Sequence, residues 1–592
     1  MKSSLPKHAL ILSFCLAASG CAKDDEAGRR SGSGPGPQKG AATTARATFL
    51  DVTAEVGIEF HHFIGNARYY FPEIMGSGCA VLDYDNDGDL DVYAVQGALL
   101  NPDQPVNEAI CTYRGEGVPR NRLFRNDLER GRLHFTDVTD EAGVGDAGYG
   151  MGCATGDYDN DGFVDLYVTN CGPNVLYHNN GDGSFTDVTV GAGVSNSRWG
   201  ASASFADLNR DGLLDLYLSN YVDWRLENDR ACYSSTGVRD YCAPITYKPA
   251  PDALFLQRGG GVFEDVSAAS GIDRGQGNGL GVVCADFNGD GRTDIYVAND
   301  GTPNFLWISQ GDIAAPTFED QALFGGAAVN DSGMSEAGMG VTADDFDADG
   351  DPDLFVAHLT RETSTLYVND GKGLFRDATT EYGLAAITQK STSFGARWFD
   401  YDNDGWLDLF SPNGEVYWQE WAADSPYPYQ QVNQLFHRDG VGRFEEVSAS
   451  AGPHFAVAEV SRGAAYGDLD NDGDVDIVLV NNNGPLRVLR NEVGSESGHW
   501  LSIHLEGVRS NRSAIGARIA LGLPDGRTLW RRVCSDGSYL SASDMGAHFG
   551  LGELTVCGDT VVYWPSGLVE RYGGLAADTE VRLREGQGEE QP

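Results

Sequence analysis

Seven times along the chain the pattern D-x-[DN]-x-D-G-x-x-D recurs, and those residue types at that spacing are what a cage for a hard cation requires. The first four copies contribute Asp83, Asp85, Asp87 and Asp91, then Asp157, Asp159, Asp161 and Asp165, then Asp207, Asn209, Asp211 and Asp215, then Asp286, Asn288, Asp290 and Asp294. The last three contribute Asp345, Asp347, Asp349 and Asp353, then Asp400, Asp402, Asp404 and Asp408, then Asp468, Asp470, Asp472 and Asp476. Oxygens at positions 1, 3 and 5, a glycine at 6 for the sharp turn, a backbone carbonyl at 7 and a carboxylate at 9 make a site of the calcium type. Calcium is therefore the expected cofactor, in a structural role. Asn209 and Asn288 lower the charge of their cages and predict weaker sites. An EF-hand would need Glu at position 12, where this chain has Ala94, Val168, Leu218, Val297, Val356, Ser411 and Leu479.

The rest of the chain offers no catalytic constellation. It has no G-x-S-x-G elbow, no phosphate-binding glycine loop and no CxxC pair, and aspartate pairs for acid–base work cannot be separated from cage aspartates. His61-His62 lacks ligand-spaced companions and reads as packing. Gly259-Gly260-Gly261 reads as a hairpin turn. The formal net charge of −45 argues against nucleic acid or an anionic headgroup surface as partner, and favours cations.

Something must hold the cages. Each is followed by a β-branched and aromatic run, such as Leu166-Tyr167-Val168, and preceded by a glycine-containing apolar one, so each joins two antiparallel strands. Between cages lies a hairpin phrase, clearest from Leu176 to Phe185, with echoes at Leu366 to Phe375 and Leu435 to Phe444. The unit is four strands, and seven units predict an all-β fold, a seven-bladed β-propeller over 48–495. An outer-strand phrase, Phe49-Leu50-Asp51-Val52-Thr53, precedes the first cage, so the N-terminal strand is expected to complete the last blade and lock the ring. Long spacings mark insertions at about 100–120 and 222–252. The second carries Cys232, Tyr233, Tyr241, Cys242 and Tyr247 and is either a disulfide-braced recognition loop or a solvated insert.

Lys2 and Lys7, the apolar stretch Ala9 to Leu16 and small residues before Cys21 outline an export signal over 1–21. Gly20-Cys21 resembles a bacterial lipobox, which would make Cys21 the lipidated N-terminus; an ordinary cleaved signal is the alternative. Residues 22–47, rich in Gly, Ser, Pro and Ala, read as a flexible tether. In an oxidising compartment three disulfides are expected: Cys232–Cys242, Cys534–Cys557 and Cys153–Cys171.

From about Gly498 the aspartate repeat gives way to alternating strands and glycine-rich turns, which predict a small C-terminal β-sandwich over 496–587. Ser510-Asn511-Arg512, Ile515 to Arg518, Gly537 to Ser541, His548 to Gly552 and Trp564-Pro565-Ser566-Gly567 resemble the ASPIC/UnbV domain. That domain follows FG-GAP/VCBS-type repeats in bacterial relatives of cartilage acidic protein, and Met75 to Gly78, Asn299-Asp300 and Arg462 to Ala465 look like the same family. The resemblance implies an extracellular calcium-binding propeller and no known reaction. The function expected is a cell-surface binding or adhesion module for a glycan or extracellular protein, on the outer membrane or cell surface, or secreted without the lipid, and touching the membrane only through it. The alternative is an extracellular polysaccharide lyase or hydrolase, with a Lys or Arg beside calcium in the central funnel.

Overall fold

In a computed structural model the described residues are 48–591, apart from 66–67, 102, 110, 235, 419–427, 441 and 495–497. The expected signal, Cys21 and the tether lie outside them. Among the described residues no helix is long and apolar enough to cross a membrane.

Residues 48–494 form seven four-stranded antiparallel sheets, and the order within each explains the repeat. Blade 2 runs Gly150–Gly156, Asp165–Asn170, Val175–Asn179, Phe185–Asp187, with the cage between its first and second strands. In every blade the position-9 aspartate begins the second strand, paired with the last residue of the first, as Asp91 is with Leu82 and Asp476 with Gly467. Position 9 therefore belongs to the ladder as well as to the loop.

The outer-strand phrase also has a physical reading. Asp137 Oδ1 accepts from both the amide and the hydroxyl of Thr139, at 3.0 and 2.5 Å, and that hydroxyl accepts from Leu123 N on the third strand. The same clasp recurs at Asp187/Thr189, Asp265/Ser267 and Asp377/Thr379. It recurs once more at Asp51/Thr53, whose Phe49–Asp51 pairs with Leu489 to Asn491 and supplies the fourth strand of blade 7. The ring is closed by the N-terminal strand, as the sequence predicts.

Six of the seven seams between neighbouring blades are latched by one side chain. The amide ending the third strand donates to the position-2 carbonyl of the preceding blade's cage: Asn126 to Leu469, Asn179 to Tyr84, Gln257 to Tyr158, Asn369 to Phe287 and Asn491 to Tyr401, at 2.6–2.9 Å. Arg438 does this for Phe346. Removing a buried donor leaves its carbonyl unpaired, so Asn491→Ala should lower unfolding free energy by about 1–3 kcal/mol in denaturant titration. An unchanged midpoint would rule the latch out as a stabilising device.

The C-terminal part forms two sheets around one apolar core that includes Leu501, Ile519, Phe549 and Val562. One has three strands and pairs His499–Glu506 in parallel with Thr579–Arg584; the other has five. This domain sends the segment Cys534 to Asp544 into the centre of the ring, where Tyr539 and Leu540 are fully buried. The segment bonds to every blade. Cys79 O and Val81 N pair with Ala542, Cys153 N with Leu540 O, and Val341 N with Ser538 O. Ser202 Oγ accepts from Leu540 N, Cys284 N donates to Asp536, Arg397 donates to Asp536 O, and Tyr466 pairs with Ser543 and Asp544.

Of the three expected disulfides, Cys232–Cys242 forms, with a Cα separation of 5.2 Å. The other two do not. Cys153 sits opposite Val168, whereas Cys171 lies past the end of that pairing and bridges to Trp199 in the next blade. Cys534 starts the segment that enters the ring, while Cys557 packs in the sandwich core. His61 and His62 pack against the loop before Pro485, and burial pushes His62 down to about 3.

Candidate metal centres and the opposite face

Each cage is preformed by its own backbone. In the first, Asp83 accepts from the amides of Asp87 and Gly88 at 3.2 and 3.1 Å, Asp87 from Asp89, and Asp91 from Tyr84 and Asn126. The same pattern holds at Asp157, Asp207, Asp286, Asp345, Asp400 and Asp468. One carboxylate oxygen each from Asp83, Asp85 and Asp91 lies within 4.8 Å of the others, as do those of Asp157, Asp159 and Asp161, and of Asp345, Asp347 and Asp353. These clusters could hold a metal ion.

The fit of a cation is tested by what the backbone leaves over. Asp85, Asp347, Asp402 and Asp470 each keep a buried Oδ1 with no hydrogen-bond partner, and all four stand at position 3. Asp353 at position 9 keeps another. A buried, unpaired carboxylate oxygen is costly, and a cation in the cage would satisfy it. In the third and fourth cages position 3 is an amide, and Asn209 and Asn288 turn their NH₂ onto the position-5 carboxylates of Asp211 and Asp290 at 3.0 and 3.3 Å. There the amide itself relieves part of the repulsion.

Burial and mutual repulsion raise the cage carboxylates. Burial, opposed by the Gly88 amide, lifts Asp83 to about 6, and burial lifts Asp157 and Asp345 to about 7 and Asp294 to about 8. Two histidines that the spacing did not single out join the cages. His178 Nδ1 lies 3.3 Å from Asp159 and Asp165, and His437 Nδ1 lies 3.4 and 3.1 Å from Asp402 and Asp408. The Asp408 hydrogen bond raises His437 to about 9. Both precede the latch residue of their third strand, so aligning the hairpin phrases would have found them.

The C-terminal domain lies over the cage ends of the blades. Arg512 N donates to Asn160 Oδ1, Arg518 to Gly350 O, and Gly550 N to Asp400 Oδ2. Between this domain and the first, second and seventh cages runs a cleft of about 750 Å³ lined by Asp83, His504, Arg512 and Glu580. The central channel is not available for chemistry, because Tyr539 and Leu540 fill it. Arg462, on its wall, is buried, bonded to the carbonyls of Ile74, Gly414 and Glu415 and set over the Phe394 ring.

The insertions join second to third strands and so emerge at the opposite ends of the sheets. The 222–252 insertion reaches across to blade 6, where Asp240 accepts from Tyr429 OH and Trp418 N. Its root joins an aromatic cluster with Phe71, Trp199, Tyr221 and Tyr247, while Tyr233 and Ile245 stay exposed. Beside it, loops of the first three blades wall a cavity of about 760 Å³.

Residues 507–590 match the family described as ASPIC and UnbV, and 157–218, 241–297, 286–356 and 345–411 match the FG-GAP-like repeat. Over 326 residues the chain is 28% identical to cartilage acidic protein 1 of Homo sapiens, covering 54% of this chain and 45% of that protein. It is 29% identical to the Xenopus tropicalis protein over 325 residues, 53% and 46% of the two chains. The match thus spans less than half the length of these relatives. Among solved structures, an Agrocybe aegerita lectin that recognises non-reducing terminal N-acetylglucosamine aligns with a TM-score of 0.36 at 14% identity, over 71% of this chain and 95% of that one. A Bacillus licheniformis rhamnogalacturonan lyase aligns with a TM-score of 0.30 at 14% identity, over 89% and 93%. Neither likeness bears on the ligand.

Proposed function

For a chain that is an FG-GAP-like repeat propeller with a C-terminal ASPIC and UnbV domain, related to cartilage acidic protein 1, we propose an exported calcium-binding module that holds a glycan or extracellular protein at a cell surface. Lipidation at Cys21 would place it on the outer membrane or cell surface; without the lipid it is secreted. Calcium in the cages would stiffen one end of every blade, leaving binding to the other end.

The observation that carries the reading is the face opposite the cages. There a disulfide-braced insertion and the loops of three blades surround a solvent-open cavity of about 760 Å³, a size typical of small-ligand sites. The experiment is a glycan and matrix-protein array probed with calcium-saturated residues 48–592, repeated with Trp224→Ala. Specific binding that weakens at least tenfold in the variant supports the reading; binding to nothing on either array overturns it.

A polysaccharide-active enzyme could use the cleft where His504 and Arg512 line the space against the cages of blades 1, 2 and 7. Product release from a polysaccharide panel, abolished by His504→Ala, would favour that reading instead.

A further inference from the structure

The cavity on the insertion face differs in charge from the rest of the molecule. Its rim carries Arg198, Arg225 and Lys248 against one carboxylate, Asp223, in a chain of net charge −45. Lys248 is one of only three lysines beyond residue 47. Arg225 is paired with Asp223 at 2.9 Å, whereas among the described residues neither Arg198 nor Lys248 has a carboxylate within 4.0 Å. All three cations are exposed, so no packing requirement explains them.

The lining between the cations combines aliphatic side chains with three aromatic rings. Trp199, Trp224 and Tyr149 contribute to it, and two of them have their polar ends engaged elsewhere: Trp224 Nε1 with Asp229, and Tyr149 OH with Ile64 O. Trp199 is almost fully buried, and its Nε1 has no partner.

We propose that this cavity binds an acidic saccharide, a short uronate-bearing oligosaccharide whose carboxylates meet Arg198 and Lys248 while its rings lie against the indole-lined wall. The proposal rests on the binding-module reading and specifies its ligand. Local sign decides the electrostatics: at physiological ionic strength charges farther apart than about 8 Å are largely screened, so the distant cage aspartates do little to repel an anion here. Arg supplies planar, bidentate recognition of a carboxylate, and Lys a mobile point charge. Apolar ring contact with a polar rim is the ordinary make-up of a small-ligand site.

The test uses calcium-saturated residues 48–592, dialysed free of excess calcium, and three probes: a glucuronate hexamer, its neutral methyl ester and a hexaglutamate peptide. The glucuronate hexamer should bind at least tenfold more tightly than either of the others. Arg198→Glu and Lys248→Glu, both surface changes, should each weaken it at least tenfold with the melting temperature unchanged. Equal binding of acid and ester would overturn the acidic-saccharide assignment and leave the binding module standing. Equal binding of the peptide would show a general anion site and overturn it too. Retained affinity in both charge-reversal variants would place the ligand elsewhere, and failure of every probe together with the arrays would remove both readings.

Discussion

Excess chelator should lower the melting temperature of residues 48–592 by about 10 °C or more at pH 7.5, since a site held at a hundred times its Kd adds about 2.7 kcal/mol and several sites act together. The same chelated protein should be more stable at pH 5 than at pH 7.5. The sign follows from the cages. Burial and neighbouring carboxylates hold Asp83 and Asp207 at about 6, Asp157, Asp345 and Asp408 at about 7 and Asp294 at about 8 in the folded chain, against about 4 when unfolded. Without a cation the folded state therefore binds more protons than the unfolded one between about pH 4 and pH 8. Stability present at low pH is lost as pH rises through that window. With the cation the carboxylates are ionised in the folded state, and acid displaces the ion, so the slope reverses. Thermal unfolding from pH 5 to 8, with calcium and with chelator, reads both slopes. Parallel curves would sink the cage assignment, whatever the ion count.

The cages were legible because their chemistry is local. Spacing within nine residues fixes which oxygens converge, and the strand runs on either side place position 9 in the ladder. Closure by Phe49–Asp51 was legible for a similar reason, since the Asp51/Thr53 phrase repeats one found in the other blades. The disulfides separate the two situations. Cys232 and Cys242 are joined across one short hairpin, while Cys153 lies opposite Val168, three residues short of Cys171, so the Cys153–Cys171 pairing needed a register this ladder does not have. The central segment left no local trace. Ser538 to Ala542 bonds to residues hundreds of positions away, and neither period nor spacing encodes contacts of that range. The glycines did hint at it. Gly78, Gly152, Gly340, Gly395 and Gly463 recur where the blades meet the channel, and a Cβ on Gly152, Gly340 or Gly463 would come within 2.7 Å of the segment's backbone oxygens.

Tyr539→Ala should cost about 3–5 kcal/mol, the range for deleting a fully buried aromatic side chain. Tyr539→Phe should cost about 1 kcal/mol, because it removes only the hydroxyl's bond to Met75 O at 3.2 Å. The difference measures packing against hydrogen bonding, since the ring also sits edge-on to Phe394 at 4.9 Å between centroids. Gly463→Val tests the same contact from the blade side: even its Cβ would lie 2.4 Å from Ser541 Oγ and 2.6 Å from Gly78 Cα. Because the segment's bonds run to all the blades, displacing it frees groups around the whole ring rather than at one seam. Water entering the channel can satisfy those amides and carbonyls, but not replace the contacts of Tyr539 and Leu540 with the channel wall. Propeller and C-terminal domain should therefore unfold in one transition, and Tyr539→Ala should shift it as a whole. If calorimetry of that variant instead showed the C-terminal domain melting separately while the propeller kept its midpoint, the segment would be a passenger in the channel and not its core.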